Sequence, residues 1–181
     1  MALAALALTL GACGSSSTIV TTPTATVPPP TATAVPPTPT ATGYPVKVFF
    51  SRHPETDSNV NAVFPVNRVS PTLGVGTYSI QQLIAGPTAA EAAAGYFTEL
   101  TASLTGPSNC GGPDFTYIIS GNTGTLKFCR QTQLAGDLVG GRIQAEIVAT
   151  LTQFPNVTKV IILTSSGHCF NDLSGADMCL H

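Results

Sequence analysis

Tryptophan is absent, and charge is scarce: seven basic and nine acidic residues in 181, a formal net charge of −2. No charged side chain precedes Lys47. A chain this neutral, without a basic cluster, cannot make the several phosphate contacts on which nucleic-acid affinity rests, so nucleic acid is excluded as a main partner. Long apolar runs are missing too. The hydrophobic content is 43%, yet no uncharged apolar run reaches the ~18–20 residues that span a bilayer. There is no glycine-rich phosphate loop and no Gly-x-Ser-x-Gly elbow, which removes two common frameworks for phosphoryl and acyl transfer.

What the first residues do contain is an address. Residues 1–12, MALAALALTLGA, form a short apolar stretch that ends in small residues and is followed at once by Cys13, the layout of a secretory signal peptide. No Lys or Arg precedes it, so the usual basic flank is missing. Leu10-Gly11-Ala12-Cys13 resembles the lipobox of bacterial lipoproteins. That resemblance implies cleavage before Cys13, a diacylglycerol thioether on its sulfur and acylation (palmitate or a similar chain) of the new amino terminus. Anchoring then follows from about 0.8 kcal/mol per buried CH₂. From Gly14 to Gly43 the chain is Ser, Thr, Pro, Ala and Val, with seven prolines and no charge. Proline at that density forbids helix and sheet ladders, so residues 13–43 are expected to be a disordered tether. At ~3.1 Å per residue it would reach about 90 Å.

Residues 44–181 have the size of one globular domain. Val46–Phe50 alternates and reads as a strand, with a polar loop after it through Glu55. Ala62–Val69 reads as a second, in which Pro65 cannot donate to a ladder and so marks an edge. Ile80, Leu83 and Ile84 share a helical face that Thr77 or Ser79 would cap and Gly86-Pro87 would end. Thr88-Ala89-Ala90-Glu91 is a capping box for a second short helix. Phe115–Ser120 and Thr125–Arg130 flank the turn residues Gly121–Gly124 and predict a hairpin. Ile143, Ile147, Leu151 and Phe154 form a stripe that predicts a helix over Arg142–Phe154, and Val160–Leu163 reads as a strand buried on both faces. The expected fold is α/β (α+β): a mixed sheet with two main helices packed on it, in the order β-β-α-β-β-α-β.

The segments IQQLIAGPTAAE (80–91) and AEIVATLTQFPNVTKVIIL (145–163) make this sequence similar to the GerMN domain of bacterial sporulation and germination lipoproteins. Leu83, Gly86, Pro87, Thr88 and Glu91 carry the more specific block, and the likeness runs from VKVFF (46–50) through PVNRV (65–69) to Leu163. The resemblance implies a non-catalytic interaction module of the cell envelope, related to sporulation or germination. It brings no catalytic residues and no cofactor. The hairpin cysteines and the tail after Leu163 depart from the family pattern.

With Cys13 assigned to lipid, Cys110, Cys129, Cys169 and Cys179 remain. An even count in an exported domain reads as two disulfides, with three connectivities open. Cys110 and Cys129 fall at the same open end of the hairpin, and Cys169 and Cys179 bracket the tail, which favours those two pairs. His168, Cys169, Cys179 and His181 are zinc-type ligands, but their spacing is poor for one ion, and no metal is expected. Ser165, Ser166, His168 and Asp172 are the residue types of a hydrolase triad crowded onto one loop. We read them as a polar surface loop, and Gly121, Gly124, Gly140 and Gly141 as turn residues. Asn156-Val157-Thr158 is a glycosylation sequon of little weight in a bacterial lipoprotein.

The expected protein is therefore not an enzyme. It is a lipid-anchored protein on the extracytoplasmic face of a bacterial cell membrane that meets an envelope protein, or another copy of itself, through an exposed sheet edge, for which the Pro65-containing strand is the natural candidate, or through its helical face. The alternative is an extracytoplasmic ligand-binding or hydrolytic lipoprotein that acts on cell-wall material.

Overall fold

A computed structural model describes residues 43–181. The expected signal peptide 1–12, the acylation site Cys13 and the tether up to residue 42 lie outside the described residues.

Eight strands and five helices follow in order among the described residues. They are β1 (Tyr44–Arg52), α1 (Glu55–Ser58), β2 (Phe64–Ser70), α2 (Val75–Ala85), α3 (Ala89–Ala93), β3 (Tyr96–Phe97), α4 (Leu100–Ser103) and β4 (Leu104–Thr105). Then come β5 (Phe115–Ser120), β6 (Thr123–Phe128), β7 (Gln131–Thr132), α5 (Asp137–Thr152) and β8 (Lys159–Leu163), with a 3-10 turn at Met178–Leu180. The long elements keep the expected β-β-α-β-β-α-β order. Their strands are spread over three sheets: β2-β1-β3, β4-β7 and β5-β6-β8. The connection between α4 and β5 holds Gly106, Pro107, Gly111, Gly112 and Pro113, and it yields only the two residues of β4.

β1 and β2 pair antiparallel from Tyr44 opposite Ser70 to Phe50 opposite Phe64, and β2 is an edge, as Pro65 requires. In the other large sheet β5–β6 is antiparallel and β6–β8 parallel, so pairing is mixed. The hairpin turn is tighter than the expected four residues. Thr123 and Gly124 belong to β6, and Gly121-Asn122 alone turn the chain.

Periodicity explains the core. Ile80 and Leu83 of α2, and Ile143, Ile147 and Leu151 of α5, are fully buried against Val48 and Phe50 of β1 and Leu126 and Phe128 of β6. Each such side chain contributes about 1.5–3 kcal/mol by leaving water.

The helix boundaries differ from expectation in instructive ways. α2 begins at Val75 behind Gly74, so Thr77 and Ser79 lie inside it, and Ser79 Oγ donates to Val75 O at 2.8 Å. Its far end is as expected: Gly86 has φ 83°, the left-handed region that glycine enters without strain. The capping box of α3 is present in full, with Glu91 N donating to Thr88 Oγ1 at 3.3 Å and Thr88 N donating to Glu91 Oε2 at 2.8 Å. α5 starts five residues before Arg142, so Gly140 and Gly141 are helical rather than turn residues. Packing favours glycine at 140, because a Cβ there would overlap the Asn171 side chain and touch Leu134 unless they moved. Residues 55–58, expected in a loop, make the single helical turn α1. β8 is not buried on both faces: only Ile162 is, and the strand lies at the edge of its sheet.

Candidate functional site

Besides the surface ion pairs Arg52–Glu55, His53–Asp57 and Arg68–Glu91, two gatherings of polar side chains among the described residues bear on function. The first is the seam between β1 and α5. The side of β1 turned away from β2 presents its backbone N–H groups at Lys47, Phe49 and Ser51, every second residue. Two side chains on one face of α5 and that of Gln153, the residue capping its C-terminus, accept them, as a neighbouring strand would. Lys47 N donates to Gln153 Oε1 at 2.8 Å, Phe49 N to Thr150 Oγ1 at 3.0 Å, and Ser51 N to Glu146 Oε1 at 2.9 Å. Gln153 Nε2 also donates to Lys47 O at 2.5 Å. Residues 146, 150 and 153 are one helical face, and 51, 49 and 47 are one strand side, so a period of 3.6 is matched to a period of 2.

Glu146 is 1% exposed. Thr98 Oγ1 donates to its second oxygen at 2.6 Å, and Arg142, one turn earlier, is held by Glu99 at 2.7 and 2.8 Å. Burial pushes the Glu146 carboxyl up to about 7, against the opposing pull of the Thr98 and Ser51 hydrogen bonds. This buried acid is the strongest functional-looking signal in the domain, and our sequence reading missed it. The available signal was a Glu inside the apolar stripe, one residue from Ile147. Its partners are a strand edge 95 residues away in sequence and a threonine 48 away. The acid is consumed by architecture: both oxygens accept bonds that join β1, α5 and the segment after β3.

The second place is a cleft of about 560 Å³ between β7 and the C-terminal tail, lined by Gln131, Gln133, Ser165, Ser166, His168 and Asp172 among others. Here the structure brings together the hydroxyl, imidazole and carboxylate groups that the sequence placed on one loop. Their bonding is not that of a triad. His168 Nδ1 pairs with Asp177 Oδ2 at 2.8 Å, not with Asp172, and Ser166 Oγ pairs with Thr164 Oγ1 at 3.0 Å. Asp177 also accepts from Cys169 N at 2.7 Å, and the His168 contact holds its carboxyl below the usual range. Asp172 accepts from Ser174 Oγ at 2.5 Å, from Ser174 N at 2.9 Å and from Met178 N at 3.3 Å; the Ser174 bond leads the causes that lower it. Asp172 was expected on a freely exposed loop; it is half-buried and bonded because the tail folds back over it. Both aspartates hold tail backbone in place.

Cys110 is bonded to Cys129 with Cα atoms 5.5 Å apart, and Cys169 to Cys179 at 5.9 Å. Those bonds consume the thiols that a zinc site at His168 and His181 would need. Cys169, Asp172 and Asp177 bring their ligand-type atoms within 4.8 Å of one another, but a disulfide sulfur is no thiolate ligand. Asn156 is exposed on the loop after α5, and Val157 beside it is buried. Among the described residues no helix is long and apolar enough to cross a membrane.

No protein-family profile matches the chain, and no curated protein matches it. Among solved structures it is similar to the tandem GerMN domains of the sporulation protein GerM from Bacillus subtilis. The identity is 18% and the TM-score 0.43, over 67% of this chain and 38% of that one. It is also similar to a candidate lipoprotein from Clostridium perfringens at 16% identity and TM-score 0.33, over 68% of this chain and 76% of that one. The first of these is named for the family that the sequence blocks at 80–91 and 145–163 resemble.

Proposed function

We propose that this protein is a lipid-anchored component of a bacterial cell envelope whose domain, 44–181, is a non-catalytic interaction module on the extracytoplasmic face. Cys13 carries the lipid, the proline-rich segment sets the domain off from the bilayer, and a role in sporulation or germination is the finer reading. Two disulfides within one small domain support an oxidising compartment outside the cytoplasm. The observation that carries the non-catalytic part is where the acids spend their bonds. Glu146, Asp172 and Asp177 each accept from backbone N–H groups, so the side chains best suited to acid–base work hold the fold instead.

Cys13→Ser tests the anchor: it should move the protein from the membrane to the soluble fraction, and a variant that still pellets with membranes defeats that half of the reading. The ligand-binding or hydrolytic alternative draws on the cleft around His168, whose ring is largely exposed. His168→Ala separates the two. A turnover on cell-wall material that this substitution abolishes, with the melting temperature unchanged, would favour the hydrolase; capture of an envelope partner that survives it favours the module.

A further inference from the structure

Among the described residues four long strands have a side that no long strand pairs, and on three of them that side is covered or blunted. The side of β1 turned away from β2 pairs with β3 at Ser51–Arg52 and is otherwise bonded by Glu146 and Thr150 of α5 and by Gln153 at its C-cap. The C-terminal end of the outer side of β8 is covered by the tail: Leu163 bridges Cys169, Phe170 N donates to Ile162 O at 2.8 Å and Thr164 N to His168 O at 2.8 Å. β2 is blunted. Pro65 has no N–H, and Arg68 Nη1 donates to Asn67 O at 3.1 Å before its guanidinium reaches Glu91 on α3 at 2.7 Å. Proline and a charged side chain are the means by which natural edges refuse a partner strand, so Pro65 argues against docking at β2 rather than for it.

β5 is the fourth edge, and it carries none of these devices. Its six residues, FTYIIS, include no charge, proline or glycine, and the five at positions 115–119 are β-branched or aromatic. Ile118 is 66% exposed and Ile119 41%. Among the described residues no other element hydrogen-bonds to its outer backbone. α2 reaches only its inner face, where Gly76 lies against the Tyr117 ring.

We propose that β5 is a homotypic docking edge, on which a second copy of this chain pairs antiparallel across a two-fold axis. The proposal rests on the interaction-module reading and names its partner. A two-fold axis normal to the sheet keeps inner residues opposite inner ones, which requires a register centred on a residue. Centred on Ile118, the pairing sets Ile118 against its own copy and Thr116 against Ser120 on the outer face, and Tyr117 against Ile119 on the inner. Apolar groups meet apolar groups and hydroxyls meet hydroxyls. Electrostatics permit it. The nearest charge on the outer face is Lys127, opposite Thr116 on β6. In that register the two Lys127 side chains are roughly 20 Å apart at strand spacings, well beyond the ~8 Å screening length of physiological salt.

The test is a cysteine placed on the proposed axis in the full chain, expressed in a bacterial host and oxidised in its envelope. Ile118→Cys should give a reducible band of twice the monomer mass, because a residue opposite its own copy meets disulfide geometry. Thr125→Cys, on the central strand β6, should not. In the same full chain carrying Cys13→Ser, Ile118→Lys should abolish the concentration-dependent sedimentation shift while leaving the melting temperature unchanged. A folded Ile118→Cys protein that stays monomeric under oxidation overturns the proposal, as does a dimer that Ile118→Lys leaves intact. If Ile118→Cys stays monomeric while cross-linked envelope still yields a partner for the domain, self-association fails and the interaction reading stands. If neither occurs, both fall.

Discussion

The β1–α5 seam and the C-terminal tail face the same task, covering a strand edge, and use opposite means. At β1 the cover is a helix whose other residues are core, so three polar side chains ride on a scaffold already fixed by Ile143, Ile147 and Leu151. At β8 the cover is a segment whose Leu173, Met178 and Leu180 remain exposed, at 75%, 66% and 50%. Phe170 alone enters the core from it. Where apolar burial is available, hydrogen bonds close an edge without covalent help. Where it is not, a disulfide and two aspartates take over. The seam should therefore respond to packing and pH, and the tail to reductant.

The largest break should come from the seam. Leu151→Ala or Ile147→Ala should cost about 2–5 kcal/mol in chemical denaturation, since both are fully buried and leave a cavity. That is a large share of a typical domain stability of ~5–15 kcal/mol.

Next in size is pH. The folded-state value for Glu146, about 7, lies above the 4.5 of an exposed glutamate, so the folded domain holds this proton more tightly than the unfolded chain does. Its contribution is complete below about 4.5 and is lost as pH rises to about 7, on the order of 3 kcal/mol. Glu146→Gln should flatten that slope and leave the variant the more stable of the two at pH 8; a wild-type stability that does not fall over this window refutes the assignment. Glu91 runs the other way. Paired with Arg68, it titrates near 2, so its stabilisation holds above 4.5 and is lost in acid. It should be worth about 1 kcal/mol after solvent screening.

Opening the tail should come third. The double substitution Cys169→Ser, Cys179→Ser releases a loop with a sequence separation of 10. It should cost at most about 2–3 kcal/mol in the chain-entropy estimate. The loss should be local: hydrogen exchange at position 169 and at Phe170 should accelerate while α5 stays protected. Equal acceleration in both would erase the contrast between seam and tail. The smallest effect belongs to the cleft. Ser166→Ala and His168→Ala, both on exposed side chains, should stay within ~0.5 kcal/mol in thermal melts.

Legibility from sequence follows the same division. Elements specified by their own residues were readable: the 143/147/151 stripe, the Thr88–Glu91 capping box, Gly86 as a helix stop, Pro65 as an edge mark. What depends on a distant partner was not. Gly140-Gly141 argues against helix by propensity, yet α5 runs through it, and the glycine at 140 suits the site because the Asn171 side chain, far along the chain, lies where a Cβ would be. Val160–Leu163 has the composition of a central strand, and nothing local says that a tail rather than another strand covers it. At the cleft, the residue types were visible, but the identity of the histidine's partner was not, since Asp172 and Asp177 are indistinguishable until the tail folds back. The same holds for Glu146, whose burial is decided by β1.

The seam also imposes an order in time. Its bonds join Lys47, Phe49 and Ser51 to residues 106, 101 and 95 positions later, whereas the two disulfides close separations of 19 and 10. A chain emerging amino end first has Tyr44–Arg52 in hand long before Asp137–Thr152 exists, so one side of its first strand stays unsatisfied until the domain is nearly complete. Non-local pairing of this kind slows folding and prolongs the exposure of a bare strand. Both crosslinks close over short stretches and need no such wait. Maturation of this domain is thus paced by the arrival of its last helix, and agents that bind bare strands have their window in the interval before it.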